Sequence, residues 1–336
     1  MTICIVGAGA IGGWLAAKLS LSGVQVSLVA RGAAAAAIRQ DGLLLKERQS
    51  ETITRSINVI ENLEELDRCD TVILAVKAHQ IAGVSDATAR LARAGASVVT
   101  LQNGLPWWYF QGSESEHTAL KSVDPDAKIA QTIPEQTIIG GIVYVASETT
   151  APGSVSVQGK GRIVLGEPTN RPSMRIDALV EMFSLAGISA EAVTDIRQHL
   201  WAKLWRNAVF NPLSCLTGAG LADIASDPLT SVIVREALQE VACIAQGVGI
   251  RISETPDEVI AMTVRHGGAH KTSMLQDLLR GRTLELGAIV GSVIELADRL
   301  QIPAPHLRTL LACATQRSTL GSITRATSIE EGKPQP

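Results

Sequence analysis

The sequence predicts an α/β protein in two parts: a doubly wound, mostly parallel sheet over residues 1–194, then an all-helical domain over residues 195–323 and a flexible tail, 324–336. Three observations predict it. A strand, a glycine-rich turn, a helix and a second strand occupy the first 31 residues. Strand-length apolar runs alternate with helical patterns as far as residue 193. Beyond Asp195 long helical patterns follow one another to about Ser318, with no convincing strand.

Residues 3–6 form an apolar run that enters Gly7-Ala8-Gly9-Ala10-Ile11-Gly12. Ile11, Leu15, Ala16 and Leu19 then recur at helical spacing until Gly23, and residues 24–29 form the next strand. In such a turn Gly7 permits a sharp reversal, Gly9 lets the backbone approach a pyrophosphate without an intervening Cβ, and Gly12 lets the helix lie close on the strand. The helix N-terminus adds N–H groups and a positive dipole end for the anion. An apolar βαβ unit with a small-residue turn is one alternative. A secretory leader is another, but no positive charge precedes the apolar run and glycines interrupt it. The unit predicts a Rossmann-like dinucleotide site.

The end of the second strand selects the dinucleotide. An acidic residue there binds the ribose 2′-hydroxyl of NAD, whereas arginine accommodates the 2′-phosphate of NADP. Here the strand runs out as Val29-Ala30-Arg31, and Asp41 comes too late. The expected cofactor is therefore NADPH/NADP+, with Arg31 gripping phosphate as a fork or stacking on adenine. A solvated strand-end charge is the bland role for the same residue.

Residues 33–38 are helix-prone, Asp41-Gly42 is a turn signal and residues 54–60 read as a short strand. Residues 70–78 are nearly continuously apolar, the pattern of a parallel strand buried on both faces, and carry Lys77 at the end. Lys77 meets a cofactor phosphate or ribose, or is a surface lysine. A helix over 82–94 leads to a buried strand over 97–101, which opens into Gln102-Asn103-Gly104. Asn103-Gly104 is a turn signal, yet it falls at the sheet edge that carries the glycine-rich loop.

Trp107, Trp108, Tyr109 and Phe110 follow, four of the ten aromatic residues in the chain. That concentration fits a pocket wall, a lid, or packing under a loop. Residues 112–128 read as a polar exposed loop. Strands are expected over 138–145, 154–157 and 162–165, the last two joined by a hairpin turn at Gly159-Lys160-Gly161. A helix over 175–185 and a last strand over 189–193 complete the first domain.

Bulk properties suit a soluble enzyme. The 336 residues give ample chain for two cores. The net charge of −3 excludes a basic field for nucleic acid or an anionic membrane surface. Cys4, Cys69, Cys215, Cys243 and Cys313 are scattered without metal-ligand spacing, which suits a reducing cytoplasm. No apolar stretch is long enough to span a bilayer.

The helical half carries the chemistry. From His199 to Pro212 most residues are large and apolar, but Lys203, Asn207 and Asn211 recur every fourth position. At about 100° per residue they form one slowly drifting polar stripe, and Pro212 ends or kinks the helix just after it. A buried polar stripe is either a satisfied internal network or the wall of a site. Lysine suits the second, since a fixed ammonium stabilises and protonates the oxygen of a carbonyl that receives hydride. Downstream, Lys271-Thr272-Ser273-Met274-Leu275-Gln276-Asp277 precedes Glu285, which opens a strongly apolar helix over 286–300. Glu285 is a helix-dipole partner, or a carboxylate that keeps Lys203 charged. His266 and His270 lack companions for a metal site, so no metal is expected.

These residues together resemble the ketopantoate reductase (2-dehydropantoate 2-reductase) family over both domains. Gly7-Ala8-Gly9-Ala10-Ile11-Gly12, Lys77, Asn103-Gly104, the Lys203, Asn207 and Asn211-Pro212 stripe, Ser273-Met274-Leu275-Gln276-Asp277 and Glu285 occur in the family's order. The resemblance implies NADPH held by the glycine loop, with Arg31 and Lys77 at the adenosine phosphate end and Asn103 near the nicotinamide. It also implies Lys203 as general acid and Glu285 as the carboxylate that organises it. Asn103, Asn207, Asn211 and Ser273 would position the 2-oxo acid.

The sequence departs from the family where TEID…NG becomes Leu284-Glu285-Leu286-Gly287…Val290-Gly291, so an acid and an amide are missing. His270 and Leu221 stand where asparagines occur in relatives, and the aromatic run is not a general family feature. The expected function is NADPH-dependent reduction of ketopantoate to (R)-pantoate in pantothenate synthesis. Alternatives are a reductase of a bulkier or more apolar 2-oxo acid, or a non-catalytic NADP(H)-binding regulator. The apolar C-terminal helices leave a homodimer open.

Overall fold

The computed structural model describes residues 1–48, 50–112 and 119–331. Part of the expected loop, residues 113–118, and the end of the expected tail, 332–336, lie outside them. The chain divides into two compact units, Met1–Leu120 with Asp124–His199, and Lys121–Val123 with Leu200–Pro336.

The first unit is built on a ten-stranded sheet. Its strands are β1 (Thr2–Val6), β2 (Gln25–Val29), β3 (Leu43–Glu47), β4 (Ser50–Thr54), β5 (Ile57–Ile60), β6 (Thr71–Leu74), β7 (Ser97–Thr100), β8 (Ile138–Ala151), β9 (Ser154–Gly166) and β10 (Ser189–Ala192). Its helices are α1 (Ala10–Leu21), α2 (Gly32–Asp41), α3 (Ser85–Arg93), α4 (Lys128–Thr132) and α5 (Met174–Leu185). The path runs β4-β3-β9-β8-β7-β6-β1-β2-β5, with β10 beside β9. From β8 to β5 every neighbouring pair is parallel.

The chain leaves β1 for β2 on one side and later returns to β6 on the other. That reversal opens a crevice at the carboxyl ends of these strands, the usual ligand position in an open α/β sheet. The strand ends are flush: Val6 lies beside Val29 and Leu74, and Leu74 beside Thr100. Gly7, Arg31, Lys77 and Asn103 all follow within three residues of this common edge.

Two expected features differ. Residues 54–60 hold the end of β4 and then a separate β5, and residues 43–47, which carried no strand expectation, form β3. Gly159-Lys160-Gly161 is not a hairpin turn, because β9 continues through it. Three residues there face Val145 alone, between the Tyr144–Arg162 and Ala146–Gln158 pairs. Gly161 is required at this irregularity, since a Cβ would overlap the buried Trp14 ring of α1. The hairpin turn lies instead at Pro152-Gly153, where Gly153 has φ +71°.

The second unit holds α6 (Ile196–Thr217) from Leu200 onward, then α7 (Leu221–Ser226), α8 (Pro228–Gly247), α9 (Pro256–His266), α10 (Ser273–Leu279), α11 (Ser292–Leu300) and α12 (Pro305–Glu331). A π-helical turn, Gly287–Gly291, leads directly into α11. Pro212 does not end α6, which runs on for five residues; the proline removes only its own amide bond to the preceding turn. Trp201, Leu204, Trp205 and Ala208 bury one face of α6, and Trp205 Nε1 donates to the Leu238 carbonyl of α8 at 2.8 Å. Asp227 caps α8, with Pro228 in its first position. Glu240 accepts from the first amides of α12, His306 and Leu307, both at 2.9 Å. Among the described residues no helix is long and apolar enough to cross a membrane.

Candidate functional site

In the sheet unit the glycine-rich turn is shaped by contacts within the protein. Gly7 adopts φ +109°, and a Cβ there would lie 3.2 Å from the Ala75 carbonyl oxygen and 3.0 Å from Val76. Gly7 N donates to Val29 O at 3.1 Å, and Gly13 N to Gly9 O at 2.8 Å, which closes the first turn of α1. A Cβ on Gly12 would overlap the Gly7 carbonyl oxygen, so this position requires glycine for the helix to approach the strand. Gly9 is different. It is exposed, and a Cβ there would meet nothing within 4 Å.

Open space over Gly9, a helix N-terminus behind it and no acidic residue in the first turn of α1 fit a dinucleotide pyrophosphate. Ala8, Ala10 and Ile11 are half-buried and complete the loop. Arg31 is exposed just beyond β2, with its Nε donating to the Glu61 carbonyl at 3.2 Å. Lys77 and Asn103 are half-buried at the same sheet edge.

Gln102, read in the sequence as part of a turn, is a fastener. Its Nε2 donates to the carbonyls of Leu74 at 2.7 Å and Val76 at 3.0 Å, fixing the segment that carries Lys77 against the one that carries Asn103.

The aromatic run is mainly packing. Trp107, Trp108 and Tyr109 are buried, and Trp108 Nε1 donates to Thr100 Oγ1 at 2.9 Å while its ring fills the space a Cβ on Gly140 would need. Arg197 holds the run from behind, donating to the carbonyls of Tyr109 at 2.7 Å, Gln111 at 2.5 Å and Pro168 at 2.6 Å. A single isolated arginine in the sequence gave no signal for this role.

In the helical unit α6 carries the polar stripe. Lys203 and Asn207 are half-buried, and Asn211 is buried at 5% exposure. Among the described residues neither asparagine side chain has a protein hydrogen-bond partner. Such amides offer donors and acceptors to a ligand or to water. Burial lowers Lys203 from 10.5 to about 8, and the Glu285 charge opposes that fall. Glu285 is half-buried between the buried Leu284 and Leu286.

The stripe extends further than the sequence suggested. Ser214 lies about three turns beyond Lys203 on the same face, and its Oγ is 2.5 Å from Thr272 Oγ1. Thr272 in turn caps α10, accepting from Leu275 N at 3.1 Å. This bond brings the start of α10, with the exposed Ser273 in its first position, to the end of the stripe. Lys203, Asn207, Asn211, Glu285 and Ser273 thus belong to one unit. His266 and His270 are exposed, and no group of three metal-ligating side chains occurs among the described residues.

Comparison with known proteins adds to this geometry. The family model described as ketopantoate reductase PanE/ApbA matches residues 3–170, and its C-terminal counterpart matches residues 195–318. The chain belongs to the ketopantoate reductase family. A 2-dehydropantoate 2-reductase of Mesorhizobium japonicum is 44% identical over 316 residues, covering 93% of this chain and 96% of that protein. A crystal structure from Ralstonia solanacearum MolK2 is similar with TM-score 0.89 at 36% identity, covering 95% of this chain and 98% of the other. The 2-dehydropantoate 2-reductase of Geobacter metallireducens GS-15 gives TM-score 0.82 at 28% identity, over 94% and 99%. As a family member, the chain is an oxidoreductase of mixed α/β fold with a helical C-terminal domain.

Proposed function

We propose that the protein reduces 2-dehydropantoate to (R)-pantoate at the expense of NADPH, with Lys203 as the general acid. The observation that carries this reading is the α6 stripe: a lysine lowered to about 8 by burial, countered by Glu285, beside two amides with no protein partner. NADPH, when bound, supplies a hydride for C2 of the 2-oxo acid. Gly7, Ala8, Gly9, Ala10, Ile11 and Gly12 would hold its pyrophosphate, Arg31 its 2′-phosphate, and Lys77 and Asn103 its remaining polar groups.

The residues of this chain do the rest. The Lys203 ammonium donates its proton to the carbonyl oxygen as negative charge builds there, and is itself left neutral. A group lowered to about 8 remains mostly protonated at neutral pH yet releases a proton more readily than an ordinary lysine. Glu285 keeps the charged form available. Asn207 and Asn211 offer donors and acceptors to the hydroxyl and carboxylate of the substrate, with Asn103 and Ser273 as further donors. The cytoplasm is the site of action we assign, in keeping with scattered cysteines that show no paired spacing.

The experiment is NADPH oxidation with purified protein across a panel of 2-oxo acids. The expected result is the highest kcat/KM for 2-dehydropantoate. Preference for an aromatic or larger branched 2-oxo acid would replace the substrate while keeping the chemistry.

A further inference from the structure

Glu285 stands one residue short of the π-helical turn Gly287–Gly291, with Leu286 between, and that turn is not free-standing. The short segment Lys121–Val123 belongs to the helical unit although it lies far away in sequence. The Glu295 carboxylate on α11 fastens it, accepting from Lys121 N at 3.0 Å, Ser122 N at 2.8 Å and Ser122 Oγ at 2.8 Å. Arg299, one turn on, donates to the same carboxylate at 2.5 Å. Burial alone would raise the Glu295 carboxyl, but the donated bonds outweigh it and hold it below the usual range.

Ser122 also rests on the π turn. A Cβ on Gly287 would lie 2.8 Å from the Ser122 carbonyl oxygen, and one on Gly291 3.6 Å from Ser122 Cβ. Gly287, Gly291 and Glu295 recur every fourth residue and form a track on which the segment is seated. The buried Ala288, Ile289 and Val290 of the turn face the other way, into the core. Gly287 is the position where the family pattern TEID carries an acid. Its replacement here opens the space the Ser122 backbone occupies.

We propose that Lys121–Val123 is a strap whose seating on the Gly287–Gly291 turn, fastened by Glu295, fixes where Glu285 stands and so acts through Glu285 on Lys203. Ser122, Gly287 and Glu295 are then positioning residues. The inference rests on the assignment of Lys203 and Glu285 made above. In the electrostatic balance at Lys203 the Glu285 charge opposes burial, so its displacement strengthens the burial effect. π-helical turns frequently mark functional positions in helices, and here the turn sits one residue from the carboxylate in question.

The test is the pH dependence of kcat for 2-dehydropantoate in the full-length enzyme, with wild type, Gly287→Ala, Glu295→Ala and Glu295→Asp, each also combined with Glu285→Gln. Gly287→Ala and Glu295→Ala are expected to lower kcat roughly fivefold or more and to move the alkaline limb to lower pH. KM for NADPH should change by less than about twofold. Glu295→Asp should restore part of both effects. In the Glu285→Gln background the same changes should move the limb no further, which a merely stabilising strap does not predict.

Unchanged kcat and an unmoved limb in folded Gly287→Ala and Glu295→Ala overturn the proposal, as does a further shift in the Glu285→Gln background. If Glu295→Ala fails to fold, Gly287→Ala and Glu295→Gln decide in its place. Lys203→Ala is the internal control. Full activity in that variant would remove the underlying assignment, whereas its inactivity beside wild-type strap variants would remove the strap alone.

Discussion

Burial drags the Lys203 ammonium down to about 8 while the Glu285 carboxylate pulls it back, so the acid strength of this lysine is set by a contest between its burial and a carboxylate of the same unit. As the proposed general acid, Lys203 would act in its protonated form, so kcat should be level at neutral pH and fall as pH rises through about 8. Glu285→Gln removes the raising influence and should move that fall to lower pH. A pH profile of kcat for the two proteins checks the sign. Lys203→Ala should reduce kcat roughly 10²–10⁴-fold with little effect on NADPH binding, measured by fluorescence titration.

Asn211 offers a sharper test of the site. A structural asparagine would lower Tm when truncated, because its partners would lose their bonds. Among the described residues the Asn211 amide has no such partners, so Asn211→Ala should leave Tm nearly unchanged or raise it. kcat/KM for the 2-oxo acid should fall roughly tenfold or more. Thermal melts and steady-state kinetics on one preparation separate the two roles.

Two glycines in one loop should respond oppositely. A methyl group at Gly9 has open space, so Gly9→Ala should fold normally and lose NADPH affinity by roughly tenfold or more. A methyl group at Gly12 overlaps the Gly7 carbonyl, so Gly12→Ala should be strongly destabilised in the absence of any ligand. Denaturant melts of the apoenzyme and NADPH titrations distinguish them.

Arg31 should govern cofactor preference. Its Nε is engaged by the Glu61 carbonyl, while its charge lies at the end of β2 where a 2′-phosphate would come. Arg31→Ala should raise KM for NADPH roughly tenfold and that for NADH little, read as the ratio of kcat/KM for the two cofactors.

Arg197 should matter for folding. It joins three backbone carbonyls from two separate segments, so Arg197→Met should cost about 2–4 kcal/mol of stability. The KM values of whatever folds should be unaffected. Urea melts beside kinetics check both halves of that statement.

What was legible in the sequence follows from how far each signal reaches along the chain. The glycine turn is local: its three glycines answer to a reversal, an approach and a helix contact within six residues. The α6 stripe was legible because helical periodicity maps spacing directly onto a face. Gly159-Lys160-Gly161 misled because its composition is that of a turn, while Trp14, far away in sequence, is what requires the small residue. Gln102, Arg197, Ser214 and Thr272 were silent for the same reason. Each bonds to a group between 26 and 88 positions away, and no periodicity encodes that distance. Even with the family pattern in view, Gly287 reads as a missing acid until Ser122 is seen against it.

The shape of the glycine-rich loop is set by contacts within the protein: Gly7 is wedged by Ala75, and Gly12 by Gly7 itself. A loop that is already ordered surrenders almost no conformational entropy when it receives a phosphate, so more of the contact energy survives as affinity. Capture of the dinucleotide then needs no prior rearrangement of this loop, and its association rate should follow encounter frequency and not a slow closing step. In practical terms, the amide of Gly13 should already resist hydrogen exchange in the apoenzyme.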